Sequence, residues 1–278
     1  MTENLSSVQE QNVLTEKQVE SITAQIRTQA LIGIKESPNV LDAVYQDNPL
    51  EFRAGIADLT ARYSMRRVRG DGNCFYRSFL FGYLEQLLSQ QRQHEAALAA
   101  QESAPEGEDA WCPELQRVVA RLRGSKLDLV AVGYQESAID VFWGEIVEFV
   151  EALPTHTPES ILEQFNEENG GAEYMVWYCR ALSAGFLKAD PERFMPFILG
   201  ANYGDIASFC AAEVEPMYKE CEQVQIIALS EYLGVGVRIE YLDGRSNGGA
   251  STHVFPDGVH PQLTLLYRPG HYDLLYPL

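Results

Sequence analysis

Cys74 lies in the segment RGDGNCFYRSF, residues 69–79, where a loop with glycines at 70 and 72 runs directly into an amphipathic stretch. A helix that starts there leaves its first backbone N–H groups without internal partners. It also carries about half a positive charge at that end. Both effects favour a thiolate over a thiol. The backbone amides of Gly72, Asn73 and Cys74 are candidate donors to an oxyanion, and Gly72 lets the chain come close to it. One loop would then activate a nucleophile and stabilise the charge that forms. The competing reading is a buried cysteine beside a tight turn, and the local pattern leaves both open. Cys112, Cys179, Cys210 and Cys221 lie in apolar helical runs or beside polar sequence, lack a visible activating environment, and read as structural.

A thiol nucleophile needs a base. The segment LLYRPGHYDLLY, residues 265–276, reads as a strand, a Pro-Gly turn and a second strand. Residues two apart on a strand face the same side, so His271 and Asp273 point together. Asp273 could then orient the imidazole and stabilise its charged form, as the acid of a triad does. The competing reading is an edge strand with solvated polar residues. His94, His156, His253 and His260 lie in polar or turn-like stretches and read as surface residues.

The elements that must hold these two segments can be read from periodicity. Thr15 is a candidate N-cap, with Gln18 completing a capping box. It opens a helical pattern, Val19, Ile22, Ile26, Ala30 and Leu31, that runs to about residue 35 and ends before Pro38. Residues 50–63 read as a short helix. From Phe75 a stripe of Phe79, Tyr83, Leu84, Leu87 and Leu88 continues to about residue 93. Residues 94–112, rich in Ala and Glu with a Pro and a Gly, read as an exposed insertion. Helical patterns return at 114–123, 137–152, 159–167, 171–187, 204–213 and 217–233, the last stopped by Gly234 as a C-cap. The period then becomes alternating, with strands at 235–242, 252–255, 262–268 and 271–276 separated by turn chemistry. Helices first and an antiparallel meander last predict an α+β fold. The expected organisation is an N-terminal extension, 1–39, followed by one domain, 40–278.

The 278 residues carry a net charge of −19, with 46% hydrophobic and 22% charged residues. Such acidity argues against binding nucleic acid through phosphate neutralisation; it would favour encounter with a basic partner surface, or simply aid solubility, which is the commoner reading of charge alone. The five cysteines form no Cys-x-x-Cys pair and no zinc-like spacing, so neither metal nor cofactor is expected. Free thiols suit a reducing compartment. With no secretory signal and no apolar run near the ~20 residues that span a bilayer, no membrane partner is expected. The expected location is the cytoplasm, or the nucleus.

GDGNCFYRSF resembles the nucleophile motif of ovarian-tumour-domain cysteine proteases, and YRPGHYDLLY resembles the closing histidine motif of otubains, a branch of that family. EVEPMYKECEQVQIIAL (213–229) and YMVWYCRALSAGFL (174–187) resemble the otubain sequence before the final strands and the long helix upstream. The resemblance covers about residues 40–278. It implies a papain-like fold and hydrolysis of the isopeptide bond between a ubiquitin C-terminus and a lysine. Cys74 would attack the carbonyl, His271 would remove and return the proton, and Asp273 would orient His271. Asp71 matches the family's active-site aspartate and would shape the oxyanion loop. It is equally a good helix N-cap, and the two roles are compatible. Ubiquitin and polyubiquitin chains are the implied partners. Ile227, Leu233 and Gly234, with His253, Phe255 and Pro256, match the ubiquitin-facing positions, although Phe255 could instead pack in the core. The resemblance also permits a second role, binding ubiquitin-conjugating enzymes without catalysis, and a third, action on another ubiquitin-like modifier. The 15–35 segment resembles the arm of type-1 otubains, which implies preference for the chain linkage that targets substrates to the proteasome; its apolar positions Val19, Ile22 and Ile26 could instead pack on the domain, the commoner fate of an amphipathic face.

Overall fold

The computed structural model describes residues 21, 24–100, 107–201, 203–242 and 250–278. Its centre is a six-stranded sheet: β1 (Ile32–Glu36), β2 (Tyr63–Val68), β3 (Val237–Tyr241), β4 (Ser251–Phe255), β5 (Leu263–Arg268) and β6 (His271–Pro277), in the order β1-β2-β6-β5-β3-β4. Among the described residues the helices of eight residues or more are α1 (Leu50–Arg62), α2 (Cys74–Ala99), α3 (Pro113–Ala131), α4 (Glu136–Glu151), α5 (Pro158–Phe165), α6 (Gly171–Ala189), α7 (Pro191–Ile198) and α8 (Gln223–Leu233); shorter helical turns include Leu41–Val44, Ile206–Phe209 and Cys210–Val214. Among the described residues no helix is long and apolar enough to cross a membrane.

Both faces of the sheet are covered. Leu265 and Leu274 join Phe75, Phe79, Leu84 and Leu87 of α2 in the main core. Their neighbours Leu266 and Leu275 pack instead with Ile56 and Leu59 of α1 and with Met65. Burial on both faces explains why these strands read as near-continuous apolar runs. Helix α2 is wrapped by protein: Tyr76, Leu80 and Phe81 are buried along with the predicted stripe, as expected of a helix that is apolar all round at its start.

Four expectations are corrected. First, the final strands are not a meander. β3 pairs antiparallel with β4 on one side and parallel with β5 on the other, so the chain crosses from β4 back past β3. Second, residues 32–36 are a strand rather than the end of a helix. β1 pairs with β2, and β2 with β6, so the sheet recruits chain from before residue 40 and the domain begins earlier than that boundary. The Thr15 cap lies outside the described residues. Third, α2 runs to Ala99, beyond the expected start of the insertion. Cys112, at the other end of that insertion, is buried and donates its N–H to Gln91 Oε1 at 2.7 Å. Fourth, α8 starts at Gln223, because Tyr218 has a left-handed φ of 66° that no helix accommodates. Helix α7 was not anticipated. Gly234 does cap α8 with φ 65°.

Candidate active site

Cys74 is the first residue of α2, and its Sγ accepts the backbone N–H of Tyr272 at 3.4 Å. That contact joins the start of the helix to β6, which carries His271 and Asp273. His271 Nε2 lies 2.8 Å from Asp273 Oδ1. An ionised carboxylate only accepts, so Nε2 holds a proton and Nδ1 is the nitrogen left for the sulfur side. Gly70 closes over that nitrogen; a Cβ there would sit 3.2 Å from Nδ1.

Asp273 is fully buried and saturated with donors. Val68 N–H reaches its Oδ1 at 2.9 Å, and Arg268 Nε reaches its Oδ2 at 3.0 Å. Burial alone would raise the Asp273 carboxyl, but His271, Arg268 and the Val68 amide hold it below its ordinary value. Burial works against the His271 imidazolium too; the Asp273 charge, the hydrogen bond to it and the adjacent Cys74 overcome this and raise His271 to about 9. The imidazole is therefore held in its cationic form beside Cys74.

The loop before Cys74 is held rigidly. Asp71 accepts from both terminal guanidinium nitrogens, Nη1 and Nη2, of buried Arg77, at 2.9 and 2.8 Å, and from the Asn73 N–H at 3.0 Å. This last bond corrects the expected oxyanion set, because the Asn73 amide is committed to the Asp71 carboxylate. The Gly72 and Cys74 amides have no hydrogen-bond partner among the described residues. Gly72 has φ 84°, and a Cβ on it would come within 2.4 Å of the Tyr218 backbone, so glycine is required twice over.

The other cysteines are buried and unpaired. Burial pushes Cys179 and Cys210 up to about 12, and Cys221 well above its ordinary value. None of these three is poised as a thiolate. Of the six expected partner-facing residues, Gly234 and His253 are exposed, Ile227 and Pro256 half-buried, and Leu233 and Phe255 buried in the core. The last two cannot meet a partner from where they sit; strand alternation turns Phe255 inward. Three positioning arginines escaped sequence reasoning: Arg77, Arg180 and Arg268. Each lies on a helix or strand, where only tertiary packing shows what it binds.

A thiol at a helix start, an imidazole beside it, a buried carboxylate behind and free amides in front can together carry nucleophilic attack on a carbonyl. With helices packed on both faces of the sheet, these features define the class of papain-like thiol proteases. The otubain peptidase model, C65, matches residues 24–277. Human ubiquitin thioesterase OTUB1 is 36% identical over 248 residues, covering 88% of this chain and 83% of that protein. An Arabidopsis thaliana ovarian-tumour-domain-containing deubiquitinating enzyme is 32% identical over 99% of this chain and 87% of its own length. A solved structure, a ceOTUB1 ubiquitin aldehyde UBC13~Ub complex, superposes with a TM-score of 0.79 at 30% identity, covering 94% of this chain and 99% of that one. The chain belongs to the otubain family of ovarian-tumour-domain deubiquitinases.

Proposed function

We propose that this protein hydrolyses the isopeptide bonds of ubiquitin chains, with Cys74 as nucleophile and His271 as the group that carries the proton. The observation that carries the reading is the 2.8 Å contact from His271 to a fully buried Asp273, beside a cysteine that begins a helix. Cys74 attacks the carbonyl of ubiquitin's terminal glycine while the imidazolium donates to the leaving lysine amine. Water then attacks the thioester, with His271 accepting its proton. The Gly72 and Cys74 amides are the oxyanion donors. Asp71 acts through the loop, because its carboxylate is occupied by Arg77 and Asn73. A ubiquitin probe with a C-terminal electrophile tests this: labelling should map to Cys74 alone, and labelling at Cys179 or Cys221 would overturn it.

The linkage we infer is the one that targets substrates to the proteasome, read by the segment preceding Leu31. Leu31 O accepts Arg69 N–H at 3.1 Å and Gln29 O accepts Arg69 Nε at 2.8 Å, so that segment leaves the domain beside the nucleophile loop. A proximal ubiquitin would be held there. Five unpaired thiols support a reducing compartment, the cytoplasm or nucleus.

A second reading is binding of ubiquitin-conjugating enzymes without catalysis. Two solved relatives are OTUB1 complexes with ubiquitin aldehyde and a UBC13~Ub or UBCH5B~Ub conjugate. In this chain Tyr174, the residue after the Glu173 that faces Arg77, is 44% exposed and meets the half-buried Phe142 edge-on, and Phe142 in turn contacts the half-buried Trp177. An exposed tyrosine backed by two half-buried aromatics suits a protein partner. A Cys74→Ala protein that still blocks chain synthesis would favour this reading.

A further inference from the structure

Arg180 is wholly buried in the middle of α6, and its guanidinium meets backbone and side-chain carbonyls rather than a carboxylate. Nε and Nη2 both donate to Asn73 Oδ1, at 3.1 and 2.8 Å. Nη2 also reaches Gly72 O and Lys219 O, each at 2.7 Å, and Nη1 reaches Val214 O at 3.0 Å. The guanidinium lies over the Tyr76 ring, 4.5 Å from its centroid. Burying a guanidinium with no carboxylate bonded to it is costly, and the bonds to four carbonyl oxygens offset that cost. What those oxygens belong to shows what the cation holds together.

The carbonyls it gathers come from two separate pieces of chain. Gly72 and Asn73 belong to the loop that presents Cys74; Val214 and Lys219 bracket the turn between the helical stretch Cys210–Val214 and α8. The same Asn73 Oδ1 accepts Tyr218 N–H at 3.0 Å, and the left-handed Tyr218 backbone sits directly on Gly72. Tyr218 is itself 60% exposed. A surface segment is thus bolted through one buried cation to the Gly72–Asn73 peptide and the Asn73 side chain, which lie between the Gly72 and Cys74 amides.

We propose that Arg180 is a positioning residue for the hydrolytic step, holding the Gly72–Asn73 turn against the 214–219 segment so that the free amides of the nucleophile loop face the developing oxyanion. This rests on the catalytic reading of Cys74. Arg180 does not touch the reacting atoms. Its effect is on donors whose loss costs roughly 10²–10³ in kcat each, and a displacement near 1 Å has effects of about 10².

The test uses Arg180→Lys, Arg180→Gln and Gly72→Ala in the full chain. Four quantities are read: kcat and KM on a fluorogenic ubiquitin C-terminal amide, the rate of Cys74 alkylation by iodoacetamide, and the melting temperature. Alkylation by iodoacetamide forms no oxyanion, so it reports the thiol apart from the amides. Arg180→Gln should lose roughly 10²-fold in kcat, while KM and the alkylation rate stay within about twofold and Arg180→Lys recovers part of the loss. Gly72→Ala keeps Arg180 but forces Tyr218 away, and should give the same signature even if Arg180→Gln does not fold. Near wild-type kcat in a folded Arg180→Gln or Gly72→Ala protein would overturn the proposal. A parallel fall in kcat, alkylation rate and melting temperature would also overturn it, leaving Arg180 a purely structural residue. Failure of the catalytic reading looks different: the Cys74→Ala protein would itself still hydrolyse the amide.

Discussion

Replacing Asp273 with Asn removes one charge and keeps the shape. In the wild type, Asp273 is the main counterweight to burial at His271, and the ring is raised from 6.5 to about 9. That difference corresponds to roughly 3 kcal/mol in favour of the imidazolium. Losing most of it should lower kcat/KM near pH 8 by about 10². The free-enzyme pH profile should change shape as well. With His271 raised to about 9, wild-type kcat/KM should fall on the alkaline side near that pH; in Asp273→Asn this limb should move to lower pH. The substitution also strips Arg268 of its charged partner, leaving it a neutral amide oxygen at best and the bond from its Nη1 to Tyr45 OH at 3.0 Å. Breaking such a buried pair costs about 3–5 kcal/mol, so the rates must be measured well below the variant's melting temperature, followed by circular dichroism. The assay is hydrolysis of a fluorogenic ubiquitin C-terminal amide across pH 5.5 to 9.5, on the order of ten points over the range where the imidazole titrates. An alkaline limb that coincides with the wild type in a folded Asp273→Asn protein would refute the reasoning, because the charge felt by His271 would then come from elsewhere.

His271→Ala should cost more than Asp273→Asn, by several orders of magnitude in kcat, since it removes the proton carrier itself; equal losses in the same assay would assign the carboxylate a larger part. Stability should follow pH with opposite signs at these two residues. Asp273, lowered on folding, contributes stability above its unfolded value and loses it as the solution is acidified through the folded one. His271, raised to about 9, contributes fully below about 6.5 and loses its contribution as pH rises through about 9. Denaturant titrations of wild type and the two variants at several pH values read both slopes. Phe79→Ala, at a fully buried position facing the sheet, should destabilise by about 3–5 kcal/mol in a urea titration. Removing residues 1–35 deletes most of β1 and the buried Leu31 and Ile32, so that protein should melt markedly lower. Removing residues 1–23 leaves the strand in place; it should keep mono-ubiquitin probe labelling and lose activity selectively on di-ubiquitin of the proteasome-targeting linkage. An unchanged linkage profile would rule out the arm.

Short-range chemistry was open to the sequence alone. Cys74 at a loop-to-helix joint, and His271 and Asp273 two apart on a strand, depend only on local periodicity, and the structure brings the last pair to 2.8 Å. The Gly234 cap and most helices rest on the same kind of information. Long-range pairing was not open. That β1 and β2 join the final strands, and that β5 runs parallel to β3, depends on partners far away in the chain. The buried arginines show the limit most clearly. Arg180 sits in an apolar helical run and bonds to Asn73, 107 positions away, while Arg268 and Val68 converge on Asp273 from different strands. A residue type and its neighbours set which local conformation is cheap. Which carbonyl a buried cation must satisfy, and which amide remains free for an oxyanion, is decided only when separate segments are packed together and every buried polar group must find a partner.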